Sequence, residues 1–377
     1  MKKLILLLLV ITAMTLRCQS QTVNLPDSIC SGKQGNFHVQ GVVVDKANGF
    51  IYFSFTDKLI KTDLFGKLIG SVTGFVGHLG DLDFSDDGKI YGSLEYKNDA
   101  IGKGIKKELG VQTSNEDGFY IAIFDGSRIV RPDMNAEKED LLRTVYIREA
   151  VNDYTANVKD GSKEKPHRFA CSGIDGVAFA PAIGSSNTKK FLYIAYGVYG
   201  DTARSDNDHQ VILKYDVGDW GKYAQKLSQD KLHYSGPKKP LDKYFVKTGN
   251  TSYGIQNLAY DQYTGNLFAA VYSGSKTQFP NYDLFVIDGK KKPVKNYIRS
   301  DNQDMKVKTL SLLEAGPKDP GSGIRGWFFK WGATGLCPLG DGLFYISHNS
   351  KAKDGQQSVI HKYKWVGDGQ NAFMLVK

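Results

Sequence analysis

The stretch "GVVVDKANGFIYFSF" (residues 41–55) returns in altered form as "NLAYDQYTGNLFAAVY" (257–272). Each copy has an alternating apolar run, then D-x-x-x-G, then an aromatic-rich run. Alternation of period two reads as a half-buried strand, and Asp followed by Gly reads as a tight turn between two strands. The unit can be traced five times. Its first strand reads "HVQGVVVD", "HLGDLDFS", "GIDGVAFA", "GIQNLAYD" and "GATGLCPL", beginning at His38, His78, Gly173, Gly254 and Gly332. The second reads "FIYFSF", "KIYGSLEY", "FLYIAY", "NLFAAVY" and "LFYISH". A third strand carries an Asp near its end in four copies: "KLIKTDL", "GFYIAIFDG", "HQVILKYDV" and "YDLFVIDG"; the fifth reads "SVIHKYKW". The fourth strands are expected at "LIGSVTGF", "RTVYIREA", "DKYFVKTG", "VKTLSLLE" and "AFMLVK".

A single four-stranded antiparallel sheet cannot cover both of its faces, whereas sheets stacked radially cover one another. The sequence therefore predicts an all-β fold, a β-propeller of five four-stranded blades from His38 to Lys377. A six-bladed ring, with one blade hidden in an insertion, and a β-sandwich are the alternatives. Residues 21–37 are expected to add a closing strand or to cover one end. Glycine (41) and tyrosine plus phenylalanine (21 and 20) are abundant, which suits short strands and tight turns.

Residues 1–20, "MKKLILLLLVITAMTLRCQS", read as a signal peptide. Lys2 and Lys3 precede an apolar run from Leu4 to Leu16, too short for the roughly 20 residues of a spanning helix. Cys18 and Ser20 offer small residues for cleavage before Gln21, leaving 21–377 as one exported propeller domain, secreted or periplasmic. Lipid anchoring through Cys18 is the alternative, although Arg17 stands where a lipobox takes Gly or Ala. No other segment is long and apolar enough to be a transmembrane helix. Lys2, Lys3 and Arg17 supply three of the formal +9 charges, and the remaining excess is dispersed. Such a balance permits an anionic ligand, and the absence of a basic stripe with interleaved aromatics argues against nucleic acid. Beyond Cys18 the cysteines are Cys30, Cys171 and Cys337, read as one disulfide plus one buried thiol.

Blade topology puts the starts of the first strands and the ends of the second strands on one face. The long loops "KNDAIGKGIKKELGVQTSNED", "GVYGDTARSDND" and "NDYTANVKDGSKEKPHRFACS" belong to that face, which marks it as the binding side. Aligning the repeats brings His38 with His78, Gln40 with Asp175 and Gln256, and Gly41 with Asp81, Gly176, Asn257 and Gly335. Glu95, Tyr196, Tyr272 and His348 reach the same rim from strand two. Asp81, Asp175 and Asn257 offer oxygen ligands for Ca²⁺, which takes about six to eight oxygens. His78, His38 and Glu95 are the candidate catalytic groups for proton transfer. Gln40, Gln256, Tyr199, Tyr272, Trp327 and His348 are the candidate ligand contacts. A solvated channel lined by the same polar groups is the plain alternative.

The pattern "GVVVDKANGFIYFSFTDKLIKTDLFGKLIG" resembles the propellers of the NHL-repeat and SMP-30/gluconolactonase-like type, at the level of the fold. That resemblance implies calcium at the channel mouth and calcium-dependent hydrolase or lactonase activity. Those hydrolases also use a glutamate early in the chain, which has no counterpart at an inner-strand start here. The expectation is an exported propeller that binds a small carbohydrate-like or anionic ligand on the long-loop face, with hydrolase or lactonase activity if the metal is held. The alternative is a non-catalytic interaction or scaffold propeller with a protein partner. No HExxH, phosphate-cradling glycine loop or GxSxG elbow is present, which disfavours nucleophilic serine chemistry.

Overall fold

The computed structural model describes residues 24–113 and 116–377. The expected signal peptide, its cleavage site and Cys18 lie outside the described residues. The two copies of the opening motif fold alike. Asp45 Oδ1 accepts the Asn48 N–H at 3.1 Å, and Gly49 N–H bonds back to Asp45 O at 2.9 Å with Gly49 at φ 72°. Asp261 Oδ2 accepts the Thr264 N–H at 2.9 Å, and Gly265, at φ 75°, bonds back to Asp261 O at 2.8 Å. The side chain satisfies the turn's N–H groups while glycine takes the left-handed corner. The motif recurs because the same hairpin recurs. The Asp that closes the third strands does a similar task, with Asp63, Asp125, Asp216 and Asp288 each accepting an N–H two residues on.

Five blades follow in chain order. Blade one is Val39–Asp45, Phe50–Phe55, Lys58–Asp63 and Leu68–Thr73. Blade two is His78–Phe84, Ile90–Tyr96, Gly118–Phe124 and Leu142–Tyr146. Blade three is Cys171–Pro181, Lys190–Val198, His209–Tyr215 and Asp242–Lys247. Blade four is Ser252–Asp261, Asn266–Tyr272 and Leu284–Ile287. Blade five is Leu336–Gly340, Leu343–Ala352 and Gly355–Asp368, flanked by Asn371–Leu375. Ser28–Cys30 pairs antiparallel with Gly355–Asp368, so residues near the N-terminus close the ring against the last blade. Apolar side chains fill the wedges between blades, for instance Val42, Phe53 and Ile60 against Tyr345 and Ile360.

Blade four departs from expectation. Gln303–Thr309, within which "VKTLSLLE" begins, forms a hairpin with Val294–Ser300 and runs parallel to Asp242–Lys247, extending blade three. Asp301 and Asn302 both sit at positive φ at its tip, the two-residue turn that a tight hairpin requires. The outer edge of blade four is closed instead by the bridges Ile287↔Leu312 and Leu284↔Trp327. In blade two the strand ends at Tyr146, and "REA" begins the helix Arg148–Thr155. The three described cysteines are free thiols, two of them buried, so the expected disulfide does not form. Among the described residues no helix is long and apolar enough to cross a membrane.

One repeat position holds the ring together at its axis. Gly41, Asp81, Gly176, Asn257 and Gly335 occupy it in blades one to five. Asp81 Oδ2 accepts the N–H groups of Val177 in blade three and Leu258 in blade four, both at 2.9 Å, and Oδ1 accepts its neighbour Leu82 N–H at 2.9 Å. Asn257 Nδ2 donates to Gln40 O of blade one at 2.7 Å and to Ala333 O at 3.2 Å, while its Oδ1 accepts Leu336 N–H of blade five at 3.0 Å. The glycines leave room for this clasp. A Cβ on Gly41 would lie 2.8 Å from Asp81 Cα, and one on Gly176 would lie 3.0 Å from Leu258 N. Asp81→Ala strands two buried N–H groups, on blades three and four, and should cost about 3 kcal/mol in urea unfolding. Asp86→Ala, at a solvent-exposed ion pair, should change stability by less than ~1 kcal/mol. Equal effects would contradict the clasp.

Candidate functional site

Above the clasp, on the long-loop face, the channel opens into a cavity of about 220 Å³. First-strand starts supply His38, Gln40, His78, Ser172, Asp175 and Gln256; second-strand ends and their extensions supply Glu95, Lys97 and Tyr272; Tyr253 and Ile101 stand at the rim. This is the face and the pair of strand ends that the repeat alignment singles out. The structure brings together His38, His78, Glu95, Gln40, Asp175, Gln256 and Tyr272 from among the expected site residues.

Five expected residues are elsewhere. Asp81 and Asn257 are spent in the axial clasp. Tyr199 donates its hydroxyl to Asp99 Oδ2 at 2.7 Å. Asp99 in turn caps the helix Ala100–Leu109, with Oδ1 accepting Gly102 N–H at 2.9 Å, so Tyr199 anchors the helix that carries Ile101 to the rim. Trp327 is buried on the outer edge of blade four against Trp365, ring centroids 5.2 Å apart. His348 stacks on Trp331 at 3.9 Å and bonds to the Tyr363 hydroxyl at 2.9 Å, away from the mouth. Burial, with His361 and Lys330 adding to it, lowers the His348 imidazole to about 4.

These placements decide the fit of a metal. Asp81 presents both carboxylate oxygens to backbone N–H groups, and Asn257 Oδ1 accepts Leu336 N–H, so of the expected calcium ligands only Asp175 faces the cavity. Among the described residues no group of three or more His, Cys, Asp or Glu side chains is placed to hold a metal. The set does not fit Ca²⁺.

The cavity carries its own charge network. Glu95, 4% exposed, meets Lys97 Nζ at 2.8 Å, accepts Ile174 N–H at 2.5 Å and lies 3.6 Å from His78 Nδ1. Burial alone would raise its carboxyl, but Lys97 and His78 outweigh burial and hold it below the ordinary range. Lys97 also donates to Ser172 O at 2.9 Å. Burial opposes its charge, but Glu95 and Asp99 hold the ammonium above its usual value. Glu95 thus fixes Lys97 and the blade-three backbone rather than standing free as a base. Lys97, Ser172, Ile101 and Tyr253 are contacts that sequence reasoning missed, although Lys97 follows Glu95 by two residues and so shares its side of the extended chain.

Asp175 differs from Glu95. Buried to 7% exposure, it is raised to about 7, chiefly by desolvation, with Glu95 adding and His78 and Lys97 opposing. Its Oδ1 is buried without a hydrogen-bond partner, as is His78 Nδ1. His38 Nδ1 lies 2.7 Å from Val39 O. A carbonyl only accepts, so Nδ1 carries the proton and Nε2 keeps its lone pair. Burial lowers the His38 imidazole, partly offset by that hydrogen bond, with His78 adding to the lowering. The mouth therefore holds a weak acid, a neutral imidazole with one free nitrogen, and a closed ion pair.

No protein-family model matches the chain, and no curated protein matches it in sequence. Solved structures are similar to it in fold. A glucose dehydrogenase aligns over 89% of this chain and 99% of its own, at 10% identity and a TM-score of 0.37. A luciferin-regenerating enzyme aligns over 92% of this chain and 97% of its own, at 13% identity and a TM-score of 0.34. The PQQ domain of a Coprinopsis cinerea pyranose dehydrogenase aligns over 85% and 81%, at 11% identity and a TM-score of 0.31.

Asp175 gives the site a measurable pH signature. Its folded-state value of about 7 lies above the ordinary 3.8, so the folded protein holds that proton more tightly than the unfolded chain. The resulting stabilisation is full below about 3.8 and is lost as pH rises through about 7. Asp175→Asn should therefore melt above the parent at pH 8.5 and lose that advantage at pH 5, in paired thermal melts. A difference independent of pH would contradict the assignment.

Proposed function

We propose that the protein is an exported binding propeller whose upper channel mouth takes a small, neutral, hydroxyl-rich ligand of carbohydrate type. One observation carries the reading: Lys97 and Glu95 are already paired with each other, while Asp175 Oδ1 and His78 Nδ1, the latter 3.6 Å from Glu95, are buried without a hydrogen-bond partner. Buried polar groups left unpaired are costly, and a bound sugar can donate one hydroxyl to Asp175 Oδ1 and offer that hydroxyl's lone pair, or a second hydroxyl, to His78 Nδ1. An anion finds no spare cation here, because Lys97 is held by Glu95 at 2.8 Å with Asp99 at 3.9 Å. The neutral member of the expected carbohydrate-or-anion pair is therefore the better fit. The volume, about 220 Å³, lies below the ~300–1,000 Å³ of drug-sized pockets and suits a guest the size of one sugar ring. The basic head and apolar run of residues 1–20 support export.

A second reading, lactone hydrolysis, is favoured by the free Nε2 of His38 on the same cavity as the weak acid Asp175. His38 Nε2 would take a proton from water as its oxygen adds to the carbonyl carbon. The ring C–O bond then breaks, and the leaving alkoxide takes the proton of Asp175.

Calorimetric titration with glucose, xylose and gluconate tests the main reading. Either neutral sugar should bind at least tenfold more tightly than gluconate, and Asp175→Ala should weaken it by tenfold or more, about 1.4 kcal/mol. Preference for gluconate, or sugar binding that survives Asp175→Ala, would contradict it. Turnover of gluconolactone above the spontaneous rate, abolished by His38→Ala, would establish the second reading.

A further inference from the structure

Tyr253 stands at the rim of the cavity in a backbone conformation that a tyrosine avoids, with φ 67°. Bulky side chains pay strain in the left-handed region, and such strain persists only where the surroundings enforce it. Here they do. The pairing of Ser252–Asp261 with Asn266–Tyr272 slips between Ser252 and Ile255, so that Tyr253 and Gly254 bulge out of the ladder. Gly254, at φ 76°, is pressed against blade three: a Cβ there would lie 2.3 Å from Tyr196 O and 2.8 Å from Val198 N. Gln256 Nε2 donates to Tyr253 O at 2.8 Å and clamps the bulge from below. A bulge beside a cavity re-aims a side chain, and this one sends the Tyr253 ring to the mouth. The ring is 47% exposed and touches Tyr272 edge to face at 6.4 Å. Burial in the core does not account for a strained aromatic left half in solvent. Asn or Gly would satisfy the same backbone without strain.

We propose that Tyr253 is the ligand-facing wall of the channel mouth, and that its flat ring selects the cyclic form of the guest by covering an apolar sugar face. The inference rests on the carbohydrate reading of the pocket and narrows it to ring sugars. An open-chain polyol offers the same hydroxyls to Asp175 and His78 but no flat face to the tyrosine. The backbone strain is then tolerated for recognition, and stability and binding should respond to substitution in opposite directions.

The test compares the parent protein with Tyr253→Asn, Tyr253→Phe and Asp175→Ala, using glucose and its acyclic counterpart glucitol as probes. Without sugar, Tyr253→Asn should melt about 2 °C higher, because asparagine accepts the left-handed conformation. It should bind glucose at least tenfold more weakly and lose the parent's preference for glucose over glucitol. Tyr253→Phe should keep both affinity and preference. A purely structural tyrosine would show the reverse pattern, with Tyr253→Asn less stable and its preference intact. Glucose binding that depends on Asp175 but survives Tyr253→Asn overturns this inference alone. Glucose binding unaffected by Asp175→Ala, or no binding of either probe by the parent, overturns the pocket reading and this inference with it.

Discussion

The clasp of Asp81 and Asn257 at the axis is the constraint on which the other features depend. Five inner strands converge on a line too narrow for five side chains, and the chain solves this with glycine in blades one, three and five. The two polar side chains that remain are spent on backbone groups of other blades, across the axis as well as beside it. Burial pushes the Asp81 carboxyl well above its ordinary range, against the pull of the Leu258, Val177 and Leu82 N–H groups. The clasp also divides the channel. It separates the polar mouth above from the opening on the short-turn side, lined by residues such as Val44, Phe84, Phe179 and Tyr260.

That division explains why the upper mouth has chemistry to offer. Asp175 sits six residues before Pro181 in the same inner strand as Gly176, one step above the axis, where it is desolvated but has no backbone donor to satisfy Oδ1. Asp81, one repeat position lower, meets three N–H groups. Two aspartates in equivalent strands thus take different roles through a shift of one residue. Glu95 and Lys97 neutralise each other and leave the cavity with hydrogen-bonding capacity rather than net charge.

Much of this was legible in the sequence, because repeats report on equivalent positions. The D-x-x-x-G turns, the inner-strand alignment and the face carrying the long loops all follow from period and turn chemistry. The alignment correctly grouped Gly41, Asp81, Gly176, Asn257 and Gly335, but polarity at one position does not say whether an oxygen points to a ligand or to a neighbouring strand's N–H. That distinction needs the distance between blades, which turns Asp81 and Asn257 to backbone groups rather than to the cavity. Trp327 and His348 read as rim residues because the repeat places the fourth strand of blade four at "VKTLSLLE", whereas Val294–Thr309 extends blade three and Leu312 and Trp327 close blade four, and because stacking of His348 on Trp331 is a tertiary contact. Tyr253 was invisible as a site residue because a bulge leaves no signature in period-two alternation beyond the glycine that follows it.

The most direct test of the account is a crystal structure of the protein soaked with glucose. The account predicts one sugar ring at the upper mouth, with hydroxyls within hydrogen-bonding distance of Asp175 Oδ1 and His78 Nδ1 and a face against Tyr253. Glucose bound elsewhere, with only ordered water between Asp175 and His78, would contradict it.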